Sequence, residues 1–162
     1  FYDCFTNAGG LTVMGLVILM LFMAKSKQIK SLGKLAIAPS IFNIAESIMF
    51  GLPIIMNPIM IIPFILAPIA VGSITYGAMA LGLCSFPAGV AVPWTVPMFL
   101  SGFLATGGDF RAVLVQVVNL LATMVIYYPF LKIWDQKKLE EERLAEEDNI
   151  DDLADLVASL ED

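Results

Sequence analysis

The sequence predicts an all-α integral membrane chain, built from membrane-crossing helices and re-entrant helical hairpins. Three observations carry that prediction. First, 59% of the 162 residues are hydrophobic and 15% are charged, where an ordinary soluble domain has roughly 45–50% apolar and about 25% charged residues. Second, Glu46 is the only charged residue between Leu35 and Gly108. A soluble surface needs charge at on the order of a quarter of its positions, so the natural solvent of this stretch is lipid. Third, the net charge of −6 averages two different objects. Residues 1–134 hold Asp3, Glu46 and Asp109 against six Lys and Arg, for a net +3; residues 135–162 hold twelve acids against Lys137, Lys138 and Arg143, for a net −9. The expected organisation is an apolar, slightly basic membrane body over 1–134 and an acidic helical tail over 135–162.

Taken in order, Ala8 to Ala24 is uncharged and mostly apolar. It covers ~25 Å as a helix, the short end for a membrane span. Lys25, Lys27, Lys30 and Lys34 follow at once, and lysines beside a span mark a cytoplasmic loop. Next comes APSIFNIAESIMFGLPIIMNP, residues 38–58. Pro39 suits a first helical turn, and Gly51 before Leu52-Pro53 suits an end. The helix between them is about 12 residues, or ~18 Å, too short to cross a bilayer. Ser40, Asn43, Glu46 and Ser47 fall on one side of it, and Ile41, Ile44, Ala45, Ile48 and Met49 on the other. A short, broken helix with one polar stripe predicts a re-entrant segment facing a cavity.

Ile59 to Leu83 is long enough to span, with Pro63 and Pro68 as kinks. Residues 84–108 are too apolar for an exposed loop and too rich in Pro and Gly for a helix, which predicts a second re-entrant or cavity-lining element. Asp109 is placed as the N-cap of a last spanning helix, Phe110 to Leu131. Gln116, Asn119 and Thr123 recur at +3 and +4 on its inward face. Tyr127, Tyr128 and Trp134 suggest an interfacial belt, and Lys132, Lys137 and Lys138 put that end in the cytoplasm. Two basic ends thus agree on one side of the membrane. In the tail, Leu153, Leu156, Val157 and Leu160 keep the spacing of one apolar helix face, expected to be solvated or docked on a partner.

Little catalytic apparatus is visible. The chain has no His, the commonest metal ligand and general base. Cys4 and Cys84 have no metal-type spacing, and each suits a small apolar packing role. No phosphate loop or basic nucleic-acid patch is present. No catalytic residue, cofactor, metal or nucleic-acid partner is expected. The candidate binding residues are Glu46, Asn43 and Trp94. An acid at membrane depth costs about 3 kcal/mol or more, which makes it a functional candidate by default. A carboxylate accepts from two hydroxyls and an amide both donates and accepts, so Glu46 and Asn43 suit a hydroxyl-rich ligand. The alternatives kept for Glu46 are a neutral acid held by helix-end amides and a proton or ion relay. Trp94, in VPWTVP, offers a rigid flat face for a sugar ring or an interfacial anchor. Asn57 and the turn Thr106–Asp109 suit structural roles.

Three blocks, SKQIKSLGKLAIAPSIFNIAESIMFGLPIIMNPIMIIPFILAP, VPWTVPMFLSGFLATGGDFR and QVVNLLATMVIYYPFLK, resemble the lactose/cellobiose/diacetylchitobiose family of phosphotransferase-system enzyme IIC membrane proteins. The resemblance runs from about Leu11 to Trp134 and is similar to the later, C-terminal part of the family's transport domain. It implies a multi-pass permease of the bacterial plasma membrane, working as a homodimer and taking up β-linked disaccharides. It implies phosphorylation of the sugar by a phosphocysteine on a IIB component, so the phosphoryl-carrying residue belongs to another component and the chain's own standing as an enzyme is left open. It implies that Glu46 contacts the hydroxyl that becomes phosphorylated, that Trp94 stacks on the sugar, and that Asn43 belongs to the same site. Two positions depart from the family pattern. Ser47 follows Glu46 where the family usually has Pro, and a sugar-site His found earlier in the family is absent. The chain starts at Phe1, and the expectation is that an N-terminal, dimer-forming half lies outside it. The alternatives are an ion-coupled secondary sugar transporter using Glu46, and a truncated membrane product that does not transport.

Overall fold

Helix α1 (Leu11–Phe22) is apolar on every side and is buried on nearly every side. It is a central post, packed chiefly against three of the other helices. The computed structural model describes residues 11–161 apart from Pro53, with the side chains of residues 11–150 apart from Pro53 and Ile55. The expected helix start at Ala8, Cys4, and the tail side chains of Leu153, Leu156, Val157 and Leu160 lie outside that description.

Five further α-helices follow: α2 (Lys27–Ile41), α3 (Glu46–Gly51), α4 (Ile61–Ala80), α5 (Met98–Ala105) and α6 (Phe110–Glu161), with a 3₁₀ turn over Ile54–Met56. The described residues contain no strand. Helix α4 has 20 residues, or about 30 Å at ~1.5 Å each. It and the first part of α6 each hold a stretch of mean hydropathy 1.8, long enough to cross a bilayer.

Their polarity is inside out, which is what lipid selects. Thr75 of α4 and Gln116, Asn119 and Thr123 of α6 are all buried. The exposed faces carry Ile62, Ile65, Leu66 and Ile69 on α4, and Leu114, Val118, Leu121 and Val125 on α6. Exposed apolar faces of that extent mark a protein whose surface is not meant for water. The buried polar groups act as interhelical glue. The Asn119 amide donates to Thr75 Oγ1 at 2.7 Å, and the Gln116 amide to Ser101 Oγ at 3.2 Å. Glycines let the backbones close: a Cβ on Gly102 would stand 2.6 Å from the Gln116 side chain, and one on Gly15 would collide with Thr123.

The sequence pattern and the fold differ at the second element. The lysine stretch expected to be a loop is the start of a helix, α2, capped by Ser26, whose Oγ accepts from Ile29 N. Lys27, Lys30 and Lys34 are exposed, while Ile29, Gly33, Ala36 and Ser40 are buried. Pro39 therefore sits near the end of α2 instead of opening a new helix. The polar stripe expected on one helix is divided among three settings: Ser40 on α2, Asn43 in the break, and Glu46 and Ser47 on α3. The re-entrant geometry itself holds. Helix α3 turns back beside α2, so that Gly51 abuts Leu32, and the two helices form a hairpin whose tip is Phe42–Ala45.

Residues 84–97 run without helix before α5 brings the chain back, and Ala88 N donates to Ala105 O at 2.8 Å to close this second hairpin. Asp109 caps α6 as expected: Oδ1 accepts from Arg111 N at 2.9 Å, and Oδ2 accepts from Ser85 N at 2.8 Å. Those backbone N–H bonds hold its carboxyl below the usual range.

Helix α6 then continues without a break into the acidic extension, 52 residues in all. Tyr127, expected at the lipid interface, is wholly buried in the core with Leu131. The inward stripe of α6 simply runs further than the polar triplet suggested. Trp134 is half-buried, and the Lys138 ammonium sits 5.3 Å from its ring centre. Beyond it, Asp135 and Glu142 reach back to the start of α2. Both lysine clusters therefore lie at the same end of the bundle.

Candidate functional site

The two hairpins meet at their ends, and Asn43 makes the junction. It is the one non-glycine residue described with positive φ, at 62°. Asn tolerates this left-handed conformation better than a branched or bulky residue. The turn it permits buries its side chain between the hairpins. There the amide nitrogen donates to Trp94 O at 2.9 Å and to Val96 O at 2.8 Å. Both amide hydrogens are spent on backbone carbonyls, and Oδ1 is the acceptor left over.

The partner segment is itself a tight turn. Val96 N donates to Pro93 O at 3.1 Å, which places Trp94 and Thr95 at the corners. Pro93 and Pro97 restrict the chain on either side. Trp94 is 53% exposed, so the turn presents it rather than packing it. Glu46 is also exposed, in the first turn of α3. An acid there is favoured by the unpaired N–H groups of a helix start. A residue that presents a carboxylate and one that presents a flat ring are thus carried on two hairpins tied through Asn43.

Of the three residues picked from the sequence, the structure brings Asn43 and Trp94 into direct contact through the Trp94 carbonyl. Glu46 stands three residues beyond Asn43 on the same hairpin. The Val96 carbonyl escaped sequence reasoning because a backbone acceptor leaves no trace in residue type. Asp135 and Glu142 escaped it too, although the i, i+7 spacing on one helix face is legible; acids in a charged tail look like solvated residues. Asn57 is structural, its Oδ1 accepting from Ile59 N at 3.0 Å to shape the approach to α4. Cys84 is buried against Met79, Ala112 and Val115. Among the described residues, no group of three metal-type side chains converges.

Comparison with known proteins agrees with this architecture. Residues 1–68 match the family model described as phosphotransferase system, EIIC. A cellobiose-specific EIIC component of Geobacillus stearothermophilus is 54% identical over 88% of the chain and 32% of its own length. The lichenan permease IIC component of Bacillus subtilis is 49% identical over 88% of the chain and 32% of its own. The crystal structure of ChbC, the IIC component of an N,N'-diacetylchitobiose-specific phosphotransferase system, superposes with a TM-score of 0.85 at 49% identity, covering 88% of the chain and 33% of ChbC. The chain spans about a third of the length of these relatives. Sequence identity at this level, joined to a shared fold, places the chain in the phosphotransferase-system EIIC family.

Proposed function

We propose that the chain supplies the sugar-holding hairpins of a permease that binds a β-linked disaccharide and delivers it for phosphorylation by a IIB component. The observation that carries this reading is the bond from Asn43 to the Trp94 and Val96 carbonyls. It ties the hairpin bearing the lone membrane-depth acid to the turn that presents an open indole. Glu46 accepts from sugar hydroxyls, Trp94 lies against the apolar face of the ring, and Asn43 holds the two at a fixed spacing with Oδ1 free to accept. Broken helices meeting at membrane depth are the usual way in which transporters build a substrate site. The substrate class is supported by relatives named for cellobiose and diacetylchitobiose.

On this reading the phosphoryl group comes from the IIB component. The intact permease is a homodimer in a bacterial plasma membrane. The lysine-rich start of α2 and the acidic extension of α6 face the cytoplasm, where positive charge beside spans accumulates, and the phosphoryl donor reaches the sugar from that side.

The experiment is uptake of radiolabelled cellobiose by vesicles carrying the intact permease with its IIB and IIA partners and the soluble components that carry the phosphoryl group from phosphoenolpyruvate to IIA. Sugar phosphate should accumulate inside, only when phosphoenolpyruvate is supplied, and a proton uncoupler should leave uptake unchanged. Accumulation of free sugar that collapses with the uncoupler would overturn the phosphotransfer reading in favour of ion coupling through Glu46.

A further inference from the structure

The acidic extension of α6 does something specific at its near end. Asp135 is buried and takes Lys25 N on both oxygens, at 3.1 and 2.9 Å, and Ser26 N at 3.0 Å. Seven residues on, Glu142 accepts from Ser26 Oγ at 2.7 Å, from Gln28 N at 2.9 Å and from Lys27 N at 3.2 Å. Lys27 Nζ adds an ion pair with Glu146 at 2.9 Å. The free N–H groups at the start of a helix need partners, and here four consecutive ones, Lys25 to Gln28, are answered by two carboxylates from more than 100 residues away. Helix α2 packs closely on α1: a Cβ on Gly33 would stand 3.1 Å from Met20 Cβ, and Ile29 and Ala36 share its apolar core with Leu16 and Met20.

From Lys27 to Ile41 the helix is one unit of 15 residues, about 22 Å long. The carboxylates pin one end. The other end opens into the Asn43 tip, pinned to the Trp94 turn. We infer that Asp135 and Glu142 are positioning residues for the sugar site: by clasping the start of α2 to α6, they set where α2 carries Asn43 and Glu46 against Trp94. This rests on the sugar-site reading above. It assigns part of the acidic extension a task in substrate binding, with no contact to the substrate. Salt-sensitive ends are expected of such a strut, since Glu142 and Glu146 lie toward the surface and Asp135 is sheltered.

The test uses the intact permease carrying Asp135→Asn, Glu142→Gln or both, with Glu147→Gln, an exposed acid beyond the clasp, as control. Spin labels on Ser31→Cys and Glu140→Cys report the α2–α6 spacing, and titration with cellobiose reports affinity. The double variant should widen the 31–140 distance distribution and weaken cellobiose about tenfold, the equivalent of one or two hydrogen bonds. KM should rise more than kcat falls, and Asp135→Glu should recover part of the loss. Glu142→Gln alone leaves the sheltered carboxylate in place, so it should fold normally and give a smaller shift of the same sign. A widened distribution with unchanged affinity would overturn the inference, as would no change in either reading. Glu46→Gln separates the two levels: if it abolishes binding while the clasp variants do not, the sugar site stands and the positioning role falls; if it too leaves binding unchanged, the sugar site falls first.

Discussion

Glu46→Gln in the intact permease is expected to weaken disaccharide binding by roughly 10- to 100-fold while leaving the fold in place. The substitution keeps size and shape. It removes the charge and one of the two acceptors, and hydrogen bonds to a charged group are worth about 1.5–3 kcal/mol each. Stability should barely move, because Glu46 is exposed in the first turn of a short helix and such substitutions usually stay within about 0.5 kcal/mol. Calorimetric titration with cellobiose, paired with a thermal melt, measures both. Unchanged affinity in a normally folded variant would remove Glu46 from the site.

Asn43→Ala should do more damage, to fold and binding together. It deletes two hydrogen bonds, leaves the Trp94 and Val96 carbonyls facing an apolar methyl, and puts Ala at a φ of 62°. The hydrogen bonds and the strained backbone each cost about 1–3 kcal/mol, enough to lower the melting temperature by several degrees. Asn43→Gly separates the two effects. Glycine accepts the left-handed backbone without penalty and still lacks the amide, so it should recover part of the stability and little of the affinity. A Gly variant that binds the disaccharide as tightly as the parent would show that the tie between the hairpins is unnecessary for binding. Asn43→Asp should resemble Ala or be worse, since a carboxylate would face two carbonyl oxygens.

Much of the architecture was legible because lipid imposes simple rules. The gap in charge from Leu35 to Gly108 announced the solvent, and the spacing of Gln116, Asn119 and Thr123 announced the buried face of α6. Asp109 was readable as a cap because an acid before an apolar run has one obvious use there. Boundaries near proline were less legible. Pro39 fits the first turn of one helix and, as the structure has it, the last part of another, and sequence spacing alone does not separate these. Tyr127 looked like an interfacial residue because its neighbour Tyr128 and the following Trp134 are near the expected membrane edge. Its burial is decided by which side of α6 meets α1.

The site was half legible for a related reason. Glu46 stands out by scarcity and Trp94 by its flanking prolines. That Asn43 spends its amide on the carbonyls of the Trp94 turn, 51 residues away, is a tertiary fact with no local signature. The clasp is similar: Asp135 and Glu142 share a helix face in plain view, yet their partners are backbone N–H groups of α2. Glu142, held by Gln28 N–H and the Ser26 hydroxyl, keeps its carboxyl below the usual range. Since its proton is held less tightly in the folded chain, its support is present through neutral pH and is lost as pH falls through the acidic range.

On the proposed reading, the sugar sits between the tip of the α2–α3 hairpin and the Trp94 turn. Fluorescence of Trp94 tests it most directly, read in the intact permease as the difference between the parent and Trp94→Phe on titration with cellobiose. A sugar ring laid on the exposed indole excludes water from one face, so the difference spectrum should shift to the blue and saturate at the calorimetric affinity. Trp94→Phe itself should bind more weakly. A difference spectrum that does not change when cellobiose binds at full affinity would place the sugar elsewhere.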